Sequence, residues 1–149
     1  MDGWLGGGGY GGGVGGSIKP LNMNTSFAPQ LTLRVLAPAV DFYKRAFGVE
    51  ELRLFRNDDG SVHVAELSFD GAVFFLHEEM PHKVERAPES LGGTSVLITV
   101  FVEDPDVLMA RALAAGAREL SPMQSYDYGY RQGEVEDPWG HHWMIQKKI

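Results

Sequence analysis

The sequence predicts an α+β fold made of two tandem β-α-β-β-β modules. Three observations predict it. Runs of alternating apolar and polar residues flank two stretches of helical period. Each helical stretch opens on a proline and closes on a glycine. Landmarks of the first half also recur in the second at nearly constant spacing. Pro38 and Pro105 lie 67 residues apart, Gly48 and Gly116 lie 68 apart, as do Leu52 and Leu120, and Gly71 and Gly140 lie 69 apart. The stretch "RAFGVEEL" is answered by "LAAGAREL", with Glu51 and Glu119 at the same remove from their glycines.

The elements follow in order. Residues 1–20 hold ten of the nineteen glycines and few apolar side chains. Ordering such a chain costs more entropy than its contacts return, so residues 1–25 are expected to be a disordered tail. The run has no basic n-region and no apolar h-region, which is not the pattern of a secretory signal. It follows no strand and holds no Gly-Lys-Ser/Thr, so a phosphate loop is not expected. Residues 26–149 are expected to form one domain, with module one at about 27–80, a linker at 81–93 and module two at about 94–148.

In module one, Leu31, Leu33 and Val35 alternate with Thr32 and Arg34 as a strand does. Val40, Tyr43 and Phe47 then share one helical stripe between Pro38 and Gly48. Glu51–Phe55 reads as a strand, Asn57–Gly60 as a turn and Ser61–Phe69 as a second strand. Asp70-Gly71 is a hairpin signal before a strand at Ala72–His77. Residues 78–93 read as a polar loop. In module two, Ser95–Val102 is a strand rich in β-branched residues. Asp104 is an N-cap with Pro105 at the first helical position, and the helix runs to Gly116. Arg118–Leu120 begins a strand, Met123–Arg131 is a tyrosine-rich loop or strand, and Gln132–Glu136 is a strand. Asp137–Gly140 is a turn before the strand His141–Gln146.

Composition limits the function. The 149 residues are 44% hydrophobic and 22% charged, ordinary for a soluble domain, and no apolar run is long enough to span a membrane. Cysteine is absent, which removes disulfides, thiolate metal sites and cysteine nucleophiles and fits a cytoplasmic location. A net charge of −7 argues against nucleic acid and leaves a cationic small molecule open. No Gly-x-Ser-x-Gly elbow and no His-Glu-x-x-His is present.

The stretches "VLAPAVDFYKRAFG", "DGSVHVAEL", "LGGTSVLITVFVEDPD" and "GYRQGEVEDPWGHHWMI" resemble the glyoxalase/bleomycin-resistance/extradiol-dioxygenase superfamily, the vicinal oxygen chelate proteins. The likeness is to its short bacterial members of poorly defined function and covers residues 27–147. It implies mixed sheets that curl around a shared cleft, and a homodimer. In catalytic members one divalent metal sits in the cleft, held by His, Glu or Gln from the first and last strands of each module. Carried onto this chain, those positions fall at Ala28, Phe75, Leu97 and Met144. None is a ligand for a hard metal. The resemblance therefore implies a small-molecule-binding protein, metal-free and without catalytic cofactor, that holds a cationic or aromatic compound. The alternative is a metal-dependent lyase, isomerase or dioxygenase. For that case the fallback metal ligands are His77 and His142 with a carboxylate.

The residues expected to line the ligand cleft are Glu66, Phe75, His77, Leu97, Tyr126, Tyr128, Tyr130, Arg131, His142 and Met144. Tyrosines at even spacing offer flat apolar bodies with polar tips. Arg131 is expected to pair with a ligand anion, or with Glu134 or Glu136. His63 and Glu66, three apart in a strand, are expected on opposite faces. His141 is expected to be exposed or half-exposed. Trp139 is read as a packing or dimer residue, and Trp143 as buried against a helix.

Overall fold

The computed structural model describes residues 24–149. The expectation of a disordered tail falls mainly on residues 1–23 and lies outside them.

The described residues form two punctuated helices and eight strands, with one further turn of helix. The elements are β1 (Gln30–Leu33), α1 (Ala37–Phe47), β2 (Glu50–Arg56), β3 (Val62–Phe69), β4 (Ala72–Glu78), α2 (Pro88–Leu91), β5 (Leu97–Phe101), α3 (Pro105–Ala115), β6 (Arg118–Tyr126), β7 (Tyr130–Glu136) and β8 (His142–Lys148). The strands form two four-stranded sheets, ordered β1-β4-β3-β2 and β5-β8-β7-β6. The orders are the same under the repeat, so the duplicated landmarks mark a duplicated topology. In each sheet the first strand runs parallel to the last, and the other pairs are antiparallel.

The punctuation acts as its chemistry predicts. Gly48 ends α1 at φ +66°, a conformation that costs residues with a Cβ about 1–2 kcal/mol. The Asp104 side chain accepts from the Val107 N–H at 3.2 Å and caps α3. Helix α1 lies on the first sheet, α3 lies on the second, and the two helices pack together. Arg111 Nη2 donates to the Arg45 carbonyl at 3.0 Å across that contact.

A single core fills the helix-bearing sides of both sheets. It joins Leu31, Leu33, Phe42, Phe47, Leu67, Phe74 and Leu76 of module one to Met109, Val135, Trp143 and Ile145 of module two. Trp143 packs against the α1 ring of Phe47, as the sequence suggested.

Of the two readings of the tyrosine-rich segment, Met123–Tyr126 is strand, part of a long β6 whose ladder slips on either side of Ser121 and re-forms at Gln124. Three local expectations need correction. The polar loop 78–93 contains the short helix α2. The first strand ends at Leu33, leaving Val35 exposed. Strand β3 carries a bulge, where Phe55 pairs with Val64 but Arg56 pairs with Val62. Val62 therefore joins the core, and the ring of His63 meets that of His77 at 4.8 Å. Residue counting had assigned His63 a face that the extra residue takes away from it.

Candidate functional site

Strand parity sets what each sheet presents on its outer face, away from the helices. In the first sheet Ala65, Leu67, Phe74 and Leu76 point into the core. The alternate positions Val64, Glu66, Val73, Phe75 and His77 form the outer face. In the second sheet Val135, Trp143 and Ile145 are core residues. Glu134, Glu136, His142, Met144 and Gln146 alternate with them. In β5, Leu97 pairs with His142, Thr99 with Met144 and Phe101 with Gln146.

The predicted cleft residues thus divide between two faces. Glu66, Phe75 and His77 occupy the first; Leu97, Tyr126, Tyr130, His142 and Met144 occupy the second, with Tyr128 at its hairpin tip. A groove of about 670 Å³ runs between the start of β4 and β5, past Val73, Phe74 and Phe101. Another of about 510 Å³ lies between β1 and the segment before β5, beside His141. Neither is lined by the predicted residues. A smaller groove of about 280 Å³ includes His142, beside Glu136 and Trp139.

The repeat exposes a correspondence that single-residue reasoning missed. Glu66 pairs with Phe75, and Glu134 pairs with Met144. The 68- and 69-residue offsets that relate the modules also relate these pairs. Each outer face therefore has a carboxylate beside an apolar residue at matching sites. Neither Glu66 nor Glu134 has an ion pair or side-chain hydrogen bond among the described residues. The repeat spacing was the signal that could have found Glu134.

The histidines have local partners. His142 Nε2 lies 3.2 Å from Glu136 Oε2. His77 Nδ1 lies 2.7 Å from the Glu78 carbonyl oxygen. His63 Nδ1 lies 2.7 Å from Glu78 Oε1, and Asn57 Nδ2 donates to the same oxygen. The Asn57 bond, aided by His63, holds the Glu78 carboxyl below its ordinary range. Among the described residues no three His, Asp or Glu side chains come together as a metal site would need. His77 lies on the first sheet and His142 on the second, and neither belongs to a cluster of three potential ligands among the described residues. Ala28 precedes β1, and its strand neighbour Gln30 pairs with Phe75 instead.

Arg131 is placed differently from either internal pairing expected. Nη2 donates to Asp106 Oδ1 at 2.7 Å and Nε donates to Oδ2 at 2.9 Å. This fork ties β7 to the first turn of α3 and leaves Glu134 and Glu136 aside. The guanidinium lowers the Asp106 carboxyl pKa, and the carboxylate raises that of Arg131.

The tyrosine-rich hairpin puts its rings in one row. Tyr126 and Tyr128 stack at 5.2 Å and 17°, Tyr128 and Tyr130 lie 6.0 Å apart, and Phe101 lies 6.3 Å from Tyr130. Gln124 Nε2 donates to the Tyr126 hydroxyl and Gln132 Nε2 to that of Tyr128. Phe101 could have been found from its β5 parity with Leu97.

The paired histidines at the end of the sequence have different fates. His141 is buried rather than half-exposed, and its Nε2 lies 3.0 Å from the Thr32 carbonyl oxygen of β1. Asp137, at 2% exposure, accepts from the Tyr43 hydroxyl, from Trp143 Nε1 at 3.0 Å and from the Trp139 and His141 backbone N–H groups at 3.0 Å. The stretch "DPWGHHW" is thus a joint between modules. Trp139 packs on Phe42 at 5.5 Å within that joint.

Comparison with known proteins agrees with this architecture. The family model described as Glyoxalase/Bleomycin resistance protein/Dioxygenase superfamily matches residues 30–145. An uncharacterised protein of Mycobacterium tuberculosis strain H37Rv is 34% identical over 137 residues, covering 90% of this chain and 81% of its own. An uncharacterised Mycobacterium bovis protein is 35% identical over 132 residues, covering 87% of each chain. Among solved structures, TioX from Micromonospora sp. ML1 matches at a TM-score of 0.68 with 29% identity, over 84% of this chain and 99% of that one. The fosfomycin resistance protein FosX from Mesorhizobium loti shares the fold alone, at a TM-score of 0.62 and 12% identity, over 86% of this chain and 95% of that one. Among the described residues no helix is long and apolar enough to cross a membrane.

Proposed function

The chain belongs to the glyoxalase/bleomycin resistance protein/dioxygenase superfamily, and we propose that it serves there as a metal-free protein that binds a small aromatic or cationic molecule. The observation that carries the reading is the chemistry of the matching sites on the two outer faces. Where the resemblance implies metal ligands on the last strands, the chain has Phe75 and Met144. Leu97, a first-strand position, is aliphatic. An aromatic ring, a thioether and an aliphatic chain do not make the oxygen and nitrogen donor set that a hard divalent ion needs. They suit an apolar ligand body, and the two unpaired carboxylates beside them suit a cationic group.

The same faces support a homodimer. Phe55, Val73 and Leu97 are exposed on them, an apolar surface that a second copy would remove from water. Two copies bringing their faces together would convert open sheet surfaces into an enclosed cleft.

Elemental analysis and calorimetry test the reading together. Protein purified without chelator is expected to carry less than about a tenth of a metal ion per chain and to take up none on soaking. It is expected to bind at least one member of a panel of cationic glycopeptides and planar aromatics. Near-stoichiometric zinc, manganese, iron or nickel would overturn the metal-free assignment. Light scattering should give twice the 16.4 kDa chain mass.

A further inference from the structure

We propose that Phe101, Tyr130, Tyr128 and Tyr126 form a stacking surface for a flat, uncharged conjugated ring, with the Gln146 amide as its polar contact. The proposal rests on the small-molecule reading above and names the chemical class and the place.

The rings form one uninterrupted row at the hairpin end of the second sheet. The Gln124 and Gln132 amides hold the Tyr126 and Tyr128 hydroxyls and so orient two of the four rings. Much of the row remains open to solvent: Tyr128 is 62% exposed and Phe101 59%. Aromatic side chains left this open forgo burial that the core gives Phe42, Tyr43 and Phe47. A pre-oriented row of π faces is suited to an offset-stacked planar ring, because little side-chain freedom is lost on binding.

Gln146 gives the second, independent pointer. It lies between Phe101 and Gln132 in the ladder and is only 7% exposed. Its amide has no hydrogen-bond partner among the described residues. Among the described residues no fully enclosed polar side-chain atom lacks a partner, so the amide tip reaches the surface. A nearly buried amide with unused donors and an unused acceptor matches a carbonyl or amide on the ligand. Charges of both signs flank the row, Lys148 directly opposite Tyr130 and Asp127 between Tyr126 and Tyr128, so neither a cation nor an anion is favoured and an uncharged ring fits.

The probes are 2-naphthamide and cyclohexanecarboxamide, which share the amide and differ in the flat conjugated ring. Calorimetry on the full chain should show 2-naphthamide bound at least about tenfold more tightly. Tyr128→Leu should weaken 2-naphthamide about tenfold, Tyr128→Phe should retain it, and Gln146→Leu should reduce the preference for the amide over naphthalene. Circular dichroism checks that each variant is folded. If Tyr128→Leu leaves binding unchanged and Met144→Ala abolishes it, the stacking surface is overturned and the small-molecule reading stands. If 2-naphthamide does not bind while another small molecule does, the result is the same. Absence of binding by every compound overturns both. If Tyr128→Leu halves the mass in solution, the row is a contact between copies and the proposal fails.

Discussion

Replacing Tyr43 with phenylalanine removes one oxygen and keeps the ring that packs among Phe42, Phe47, Phe74 and Trp143. The oxygen donates to a carboxylate in a buried setting. Hydrogen bonds to charged groups contribute about 1.5–3 kcal/mol. Asp137 Oδ2 still receives Trp143 Nε1, and Oδ1 keeps both backbone donors, so the carboxylate is not orphaned. The expected loss is therefore about 1.5–3 kcal/mol, or roughly 5–12 °C in Tm for a domain of this size. Asp137→Ala instead strands the Tyr43 hydroxyl, the Trp143 ring N–H and the His141 N–H in the interior. At about 1–3 kcal/mol each, the loss is at least about 3 kcal/mol. Urea unfolding of both single variants and the double variant gives their coupling, expected at about 1–3 kcal/mol.

A second readout is specific to the phenol. Burial, then the Asp137 charge and hydrogen bond, hold the Tyr43 phenol well above its ordinary pKa. The unfolded chain releases this proton near pH ~10, while the folded chain keeps it. Stability from Tyr43 is present below that pH and is lost as pH climbs toward the folded value. Tyr43→Phe should flatten this alkaline decline. A Tyr43→Phe protein within about 0.5 kcal/mol of the parent, with an unchanged alkaline slope, would refute the joint as described.

Gly133→Ala should cost about 1–3 kcal/mol in urea unfolding, because the added methyl would meet Met109 Sδ at 2.5 Å and the Met123 Cα at 3.2 Å. In a Met109→Ala background the same glycine change should cost less than it does in the parent, although Met109→Ala is itself destabilising. Gly48→Ala should cost about 1–2 kcal/mol by thermal unfolding, since φ is +66° there. The Glu79 carboxyl is held below its ordinary range by the Ser90 hydroxyl and the Ala87 N–H. Its contribution is therefore present above the unfolded pKa and lost as pH falls through the folded one. Glu79→Gln should be less stable than the parent at neutral pH, and the gap should close under acid.

The sequence made the helices and the repeat legible because both are written in local chemistry. Pro38, Gly48, Asp104 and Gly116 act on their own backbones, and their spacing survives folding unchanged. What stayed hidden depends on partners distant in sequence. The face of His63 is decided by the bulge between β3 and β2, and a count along β3 alone assumes no extra residue. Strand β6 contains Pro122 within the second of two interruptions of its ladder, so its residues lack a sustained period. His141 looks like an ordinary polar strand residue until Thr32, 109 residues earlier, is placed beside it. Of the site, the division of Phe75 and Met144 between last strands was readable from parity. The hydrogen bonds that fix the tyrosine row, and the fork from Arg131 to Asp106, required the folded sheet.

The joint at Asp137 also constrains the order in which the chain can be finished. Tyr43 emerges during synthesis 94 residues before the carboxylate that receives its hydroxyl. Trp143, which covers Phe47 and Phe74, comes later still. Module one therefore waits with an uncovered aromatic cluster, and the cluster is shielded only by the last turn and strand described. Closing so long a loop is slow relative to making α1 or a hairpin. The interval is a window for mispairing and for capture by chaperones. Once the joint closes, neither module retains a separate interior to melt by itself. The duplicated halves should unfold as one cooperative unit, although their sheets share no strand pairing.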